Sequence, residues 1–493
     1  MKIQLSELRR VAAPLSIALV VAAAFATTAA AAGRSPVQVT QATDVAGSSP
    51  YTGRHCNIPT PDWVAPGGVE AEPTVAVNPR DAENKIAAWM DPTRSSIDTS
   101  YTRNGGKTWI KSVPKGVDAC GGNHQQAWEA SGDVWLSFGP DGTAYLTTLA
   151  WAHFVTAPTS DYVSVVYVLV SRDGGKSWSK PVLVSRPRGV SDKDMIVADP
   201  HHSGTVYDAF DNAGFGLVGP PRGSNYLVVA KSTDWGHSWR RTVVARFPPD
   251  RPVSDSQLSI LPDGNLVETA VGTNAAGVGT IWAWRSTDRG RTWSKPSHVA
   301  ALTPGSAPAI CGATYRGGST FDADAVAGPH SVVLVINDGA AAAQGHGKLI
   351  LARTDDSGRS WHTHPLLRSS NPVLLASIAA NERGQLGLIY DEVDTSRIGC
   401  TPSAVIPTTT RVSISRDGGT SWSRPTTVGP TWFNQADALV APQYFLGDYQ
   451  NIVGAPDGFT SVSVQGHAVT ASTAGPELTG KTGVIVANEE LRH

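Results

Sequence analysis

Six copies of one octapeptide constrain this chain more than any other feature. Segments closing on Trp109, Trp178, Trp239, Trp293, Trp361 and Trp422 share the pattern Ser/Thr-x-Asp-x-Gly-x-Ser/Thr-Trp, and these tryptophans stand 54 to 69 residues apart. The acid is Asp173, Asp234, Asp288, Asp356 or Asp417, with Asn104 in its place in the first copy. The physical logic is local. A carboxylate at this position accepts backbone N–H bonds and closes a tight turn. The glycine allows a positive φ, and the tryptophan supplies a large apolar ring to pack against a neighbour. One copy would mean little; six in register predict a repeat architecture built from one supersecondary unit.

Each copy sits in a frame of short strands with hairpin signals. Units open at Glu72–Val77, Asp133–Phe138, Asp194–Ala198, Ser256–Leu258, Asp324–Val326 and Leu375–Ile378, and turns such as Pro140-Asp141-Gly142 and Pro262-Asp263-Gly264 follow several of them. A further unit without the octapeptide spans Phe445–Val453, Phe459–Val464 and Gly483–Ala487. Its fourth strand is expected from residues 37–45, which would remove an open edge. The fold class is therefore an all-β propeller of four-stranded blades, with seven blades favoured and six the alternative.

The octapeptides resemble the Asp boxes of BNR-repeat propellers in the sialidase superfamily, over residues 72–487. The resemblance implies that the boxes mark a structural face and that the active site lies at the opposite mouth. It also implies three arginines on a sialate carboxylate, a Tyr nucleophile paired with a Glu, and an Asp acid/base. The family's first arginine sits in a Phe/Tyr-Arg-Ile-Pro motif before the first blade, where this chain has Asn57-Ile58-Pro59 and Ala71-Glu72-Pro73. The scaffold is thus expected without the sialidase reaction.

Residues 1–32 read as a secretory leader: Lys2, Arg9 and Arg10, an apolar run from Val11, then small residues to Ala32. Residues 33–70 form an extension and 71–493 one propeller domain. With 17% charged residues and a net charge of −2, no basic stripe exists for phosphates, which excludes a nucleic-acid partner, and no segment after the leader is apolar enough for membrane insertion. The four cysteines in an exported chain are expected as Cys56–Cys120 and Cys311–Cys400. A monomer is expected.

Catalysis belongs on the loops around the mouth, where inner strands begin. Catalytic candidates are Asp192, Asp194, Asp322, Asp324, Asp133, Glu72 and Tyr449. Strand alternation would turn Asp192 and Asp194, or Asp322 and Asp324, toward one cavity as an acid–base pair. Substrate-binding candidates are Arg94, Arg316, Arg222, Lys193, Gln257, Asp448, Gln450, His124 and Trp151; Asp211 and Asp255 stand in the same ring. The function expected is an exo-acting glycoside hydrolase on an extracellular glycan. A polysaccharide lyase using His124, His153, Tyr315 and Arg316 is one alternative, and a non-catalytic glycan-binding or protein-interaction propeller the other. No cofactor is expected; the carboxylate ring would suit Ca²⁺, although no calcium-loop spacing is present.

Overall fold

The computed structural model describes residues 37–51, 69–91, 96–123, 128–156, 159–185, 189–213, 225–248, 251–273, 278–303, 310–315, 321–339, 341, 344–401, 403–440, 443–469 and 482–491. The expected leader lies outside them. The first sheet shows the repeating unit: Ala71–Asn78, Asp81–Asp91, Ser96–Thr102 and Ile110–Lys111 pair antiparallel in chain order. Five further units repeat this order through the sixth box, the second and third being joined by a parallel bridge between Ser164 and Val190. In the box-less sheet, Asn451–Ala455, Gly458–Gly466 and Thr482–Leu491 are completed by Val37–Asp44, with Val37 opposite Leu491.

The innermost strands stand side by side in chain order. Ala71–Asn78 packs on Ala130–Phe138, then Val190–Ala198, Val253–Ile260, Phe321–Gly328 and Val373–Ala380 follow, and Asn451–Ala455 touches both Val373–Ala380 and Ala71–Asn78. Apolar side chains fill the seams between neighbouring sheets. Trp178, for example, packs with Ile86, Tyr101 and Leu169 between the first and second sheets. Gly175 of the same box has φ +90°, and a Cβ there would meet Ile86 Cδ1 at 2.7 Å, so only glycine lets the box approach its neighbour.

The boxes lie between the third and fourth strands of their sheets. In the second box, Ser171 Oγ and the Ser177 N–H each donate to Asp173 Oδ1 at 2.9 Å, Ser177 Oγ donates to Oδ2 at 2.6 Å, and Gly175 N–H donates to Ser171 Oγ at 2.8 Å. The first box keeps this frame with an amide. Asn104 Oδ1 accepts from Thr102 Oγ1 and the Thr108 N–H at 2.9 and 3.0 Å, while Asn104 Nδ2 donates to Thr108 Oγ1 at 2.9 Å. Cys311 and Cys400 form a disulfide with Cα atoms 5.1 Å apart. Cys120 is also disulfide-bonded, and its expected partner Cys56 lies outside the described residues.

Candidate active site

One backbone device recurs where the inner strands begin. Glu72, Asp133, Lys193, Asp255 and Leu375 all have φ between 46° and 56°. Each follows the last regularly paired residue before a register shift: Ala71, Gly132, Asp192, Ser254 and Leu374. These are β-bulges with a left-handed residue that is not glycine. Such a conformation costs on the order of 1–3 kcal/mol and persists only where its surroundings enforce it. In three of the five bulges the residue is acidic, and in the third sheet it is Lys193.

The bulges bring opposite charges together. Lys193 Nζ lies 2.7 Å from Asp448 Oδ2, 3.5 Å from Asp133 Oδ2 and 3.8 Å from Glu72 Oε1. Asp448 donates its N–H to Glu72 Oε1 at 3.3 Å. That approach depends on Gly447, at φ +126°, where a Cβ would fall 2.5 Å from Glu72 N. Burial alone would lower the Lys193 pKa, but Asp448, Asp133, Glu72 and Asp192 overturn it and hold the ammonium well above the usual lysine range. Asp192, partly exposed, accepts the Lys193 N–H at 3.0 Å. Burial, with the charge of Asp133 beside it, pushes Asp192 up to about 7. Burial likewise raises Asp255, and it raises Asp211 further with help from Asp192 and Asp255. Among the described residues no group of three His, Cys, Asp or Glu side chains is arranged to hold a metal ion.

The bulge also redirects side chains. Alternation would point Asp192 and Asp194 the same way, but the left-handed Lys193 between them breaks it. Asp194 is 5% exposed and buried in the seam with the second sheet. There Thr147 Oγ1 lies 2.7 Å from Asp194 Oδ2 and 2.8 Å from Asp208 Oδ2. One hydroxyl proton cannot satisfy two carboxylates, so one of the two acids must itself carry a proton. Burial and the charge of Asp208 hold Asp194 well above the carboxylate range, in agreement with that count.

Other candidates have different placements. Trp151 is 8% exposed and packs with Met90, Trp135 and Val166, so it is a core ring and not a sugar platform. Tyr449 donates its hydroxyl to the Val134 carbonyl at 3.0 Å and packs on Trp135. Burial, with Glu72 nearby, holds that phenol well above its usual range, which opposes a phenolate nucleophile. Gln450 is buried and donates Nε2 to the Leu375 carbonyl at 2.8 Å. Gln257 stays partly exposed, two residues past Asp255. Asp322 and Asp324 lie on Phe321–Gly328, but their side chains, like those of His153 and Tyr315, are outside the described residues. So are Arg94, His124, Arg222 and Arg316 altogether. Asp211 and Asp255, expected in the same ring, lie close enough to Asp192 and Lys193 for their charges to act on one another.

The BNR repeat-like domain matches residues 147–386. No curated protein matches the chain. Among solved structures, one of unknown function from Dyadobacter fermentans is 14% identical with a TM-score of 0.44, covering 77% of this chain and 100% of its own. The Hadza microbial sialidase Hz136 is 14% identical with a TM-score of 0.41, over 86% of this chain and 66% of its own. A Fusarium graminearum α-L-arabinofuranosidase is 14% identical with a TM-score of 0.40, over 72% and 91%. The six boxes, the four-stranded sheets that carry them and the domain match over residues 147–386 make this chain similar to BNR repeat-like proteins.

Proposed function

We propose that this protein is an exported, monomeric, seven-bladed propeller that hydrolyses glycosidic bonds at its mouth, releasing sugars from chain ends. The observation that carries the reading is the grip of Lys193 on Asp448, Asp133 and Glu72, with Asp192 alongside. Glycoside hydrolysis needs two carboxyl groups in one cavity with different protonation. Asp192 supplies the proton donor. Asp133, beside the ammonium, supplies the carboxylate that works from the other side of the sugar, while Glu72 and Asp448 hold Lys193 in place. The four carboxyl groups around Lys193, those of Asp448, Asp133, Glu72 and Asp192, favour a neutral or cationic sugar over a sialate. The inner strand Asn451–Ala455, packed between the sixth and first units, supports seven blades, and the disulfides support an oxidising compartment. No helix among the described residues is long and apolar enough to cross a membrane.

The test is turnover on a panel of neutral chromogenic glycosides. Asp192→Asn should lower kcat by about 10²- to 10⁴-fold while leaving the melting temperature within about 2 °C. Full activity in that variant overturns the assignment. Saturable binding with no product from the unmodified protein would turn the reading to a lectin-like propeller.

A further inference from the structure

A cavity that does not include Lys193 in its lining lies against one of the Asp boxes. Its volume is about 680 Å³, and Pro50, Val113, Lys115, Gly121, Lys176 and Trp178 are among its lining residues. One wall is the Asp box of the second sheet. The other is the loop that follows the last strand of the first sheet, and this loop is tightly built. Asp118 accepts from the Gly121 N–H at 2.6 Å, from Ser96 Oγ at 2.7 Å and from Ser131 Oγ. Gly116 N–H donates to the Gly121 carbonyl at 2.9 Å, and Asn123 N–H to the Asp118 carbonyl at 2.8 Å. Cys120 fixes the same loop through its disulfide. Ser112 Oγ donates to the Lys176 carbonyl at 3.1 Å and ties the two walls together.

Charge and shape in this cavity point the same way. Lys115 and Lys176 are exposed, and neither has an acidic partner within ion-pair distance among the described residues. The acids of the same two walls are already engaged: Asp118 by the loop, and Asp173 by Ser171 and Ser177. Trp178 is half-buried, with Nε1 donating to Thr99 Oγ1 at 3.3 Å, which fixes the plane of its indole. A held aromatic ring lining the cavity beside two unengaged ammonium groups suits the apolar face of a sugar ring bearing anionic substituents.

We infer that this cavity is an accessory binding site for an acidic oligosaccharide, one carrying carboxylate or sulfate groups. It is chemically opposite to the acidic mouth and independent of the reaction proposed there. A polymer could be held here by its charged residues while another stretch reaches the mouth.

Binding of a trigalacturonate, a sulfated trisaccharide and a neutral trisaccharide to the full chain is the experiment. Either anionic probe should bind saturably, with affinity falling as salt rises, and the neutral probe should not. The double variant Lys115→Glu/Lys176→Glu should weaken that binding at least about tenfold, because two charge-assisted contacts become repulsive. Its turnover of a small neutral glycoside should stay unchanged, which separates this site from the mouth. Preference between the two probes identifies the anionic group. Absence of binding by both anionic probes, equal binding of the neutral one, or affinity unaffected by the double variant overturns the inference.

Discussion

The protein treats aspartate in two opposite ways. In the boxes the carboxylates sit near water and are wrapped in donors. The Ser421 hydroxyl, the Ser421 N–H and Ser415 draw Asp417 down to about 2. In Asp288, slight burial pushes upward, but Thr292, Ser286 and Arg291 N–H outweigh it and hold it at about 2 as well. In the seams and at the mouth the carboxyl groups have few donors and little water. Burial raises Asp208 and Asp391 to about 7, and Glu70 and Glu489 to about 8. The difference lies first in burial and then in donor count, since the carboxyl group is the same. The first is a fold device that stays charged; the second stores protons at neutral pH, where acid–base work is done.

The strongest way to break this contrast is to remove the cation from the mouth. Lys193→Met leaves Asp448, Asp133 and Glu72 facing one another without compensation. A loss of about 3 kcal/mol in stability is expected, with activity abolished; chemical denaturation is the measurement, and a loss below about 1 kcal/mol would show the ion cluster to be solvated. Gly447→Ala comes next. Its Cβ has no room beside Glu72 N, so Asp448 must move away from Lys193. About 2 kcal/mol and most of the activity should be lost. Unchanged kinetics in this variant would show that Asp448 has no part in the site.

The pH dependence sharpens the comparison. Groups raised in the folded state stabilise it fully below their unfolded pKa near 4, and that contribution is lost as pH rises through 7 and 8. The box carboxylates act oppositely: their contribution is present above about pH 4 and is lost as pH falls through 2. Thermal stability should therefore peak near pH 4–5 and drop by at least about 5 °C by pH 8. A melting temperature that is flat or rising over that range contradicts the buried carboxylic acids. The smallest effect is expected in the boxes. Asp288→Ala should cost about 1 kcal/mol through its lost hydrogen bonds. Asp288→Asn should cost far less, because Asn104 already holds the same frame in the first box. Equal losses for the two would mean that the charge itself, and not the donor pattern, holds the turn.

These contrasts were unequally legible in the sequence. The boxes could be read directly, because their bonding is local and no bond in them joins residues more than four apart. The inner strands, and the box-less unit from Phe445 to Ala487, could be read from alternation and turn residues. The mouth was legible as a list of acids but not as a geometry. Lys193 was one basic residue among many, and its central place comes from a left-handed bulge that no glycine announces. The same bulge sends Asp194 into the seam with Thr147 and Asp208, against strict alternation. Trp151 shows the other failure: an aromatic residue near a loop reads the same whether it faces water or packs on Met90.

The strand Val37–Asp44 carries a consequence for how the molecule is made. Asp44 accepts the Val484 N–H, a partner 440 residues further along the chain. During synthesis this strand emerges early and cannot pair until Thr482–Leu491 has also been made. Until then its backbone is an unpaired edge. Removing the closing strand Thr482–Leu491 should therefore yield a chain that aggregates on release, even with all six boxes intact.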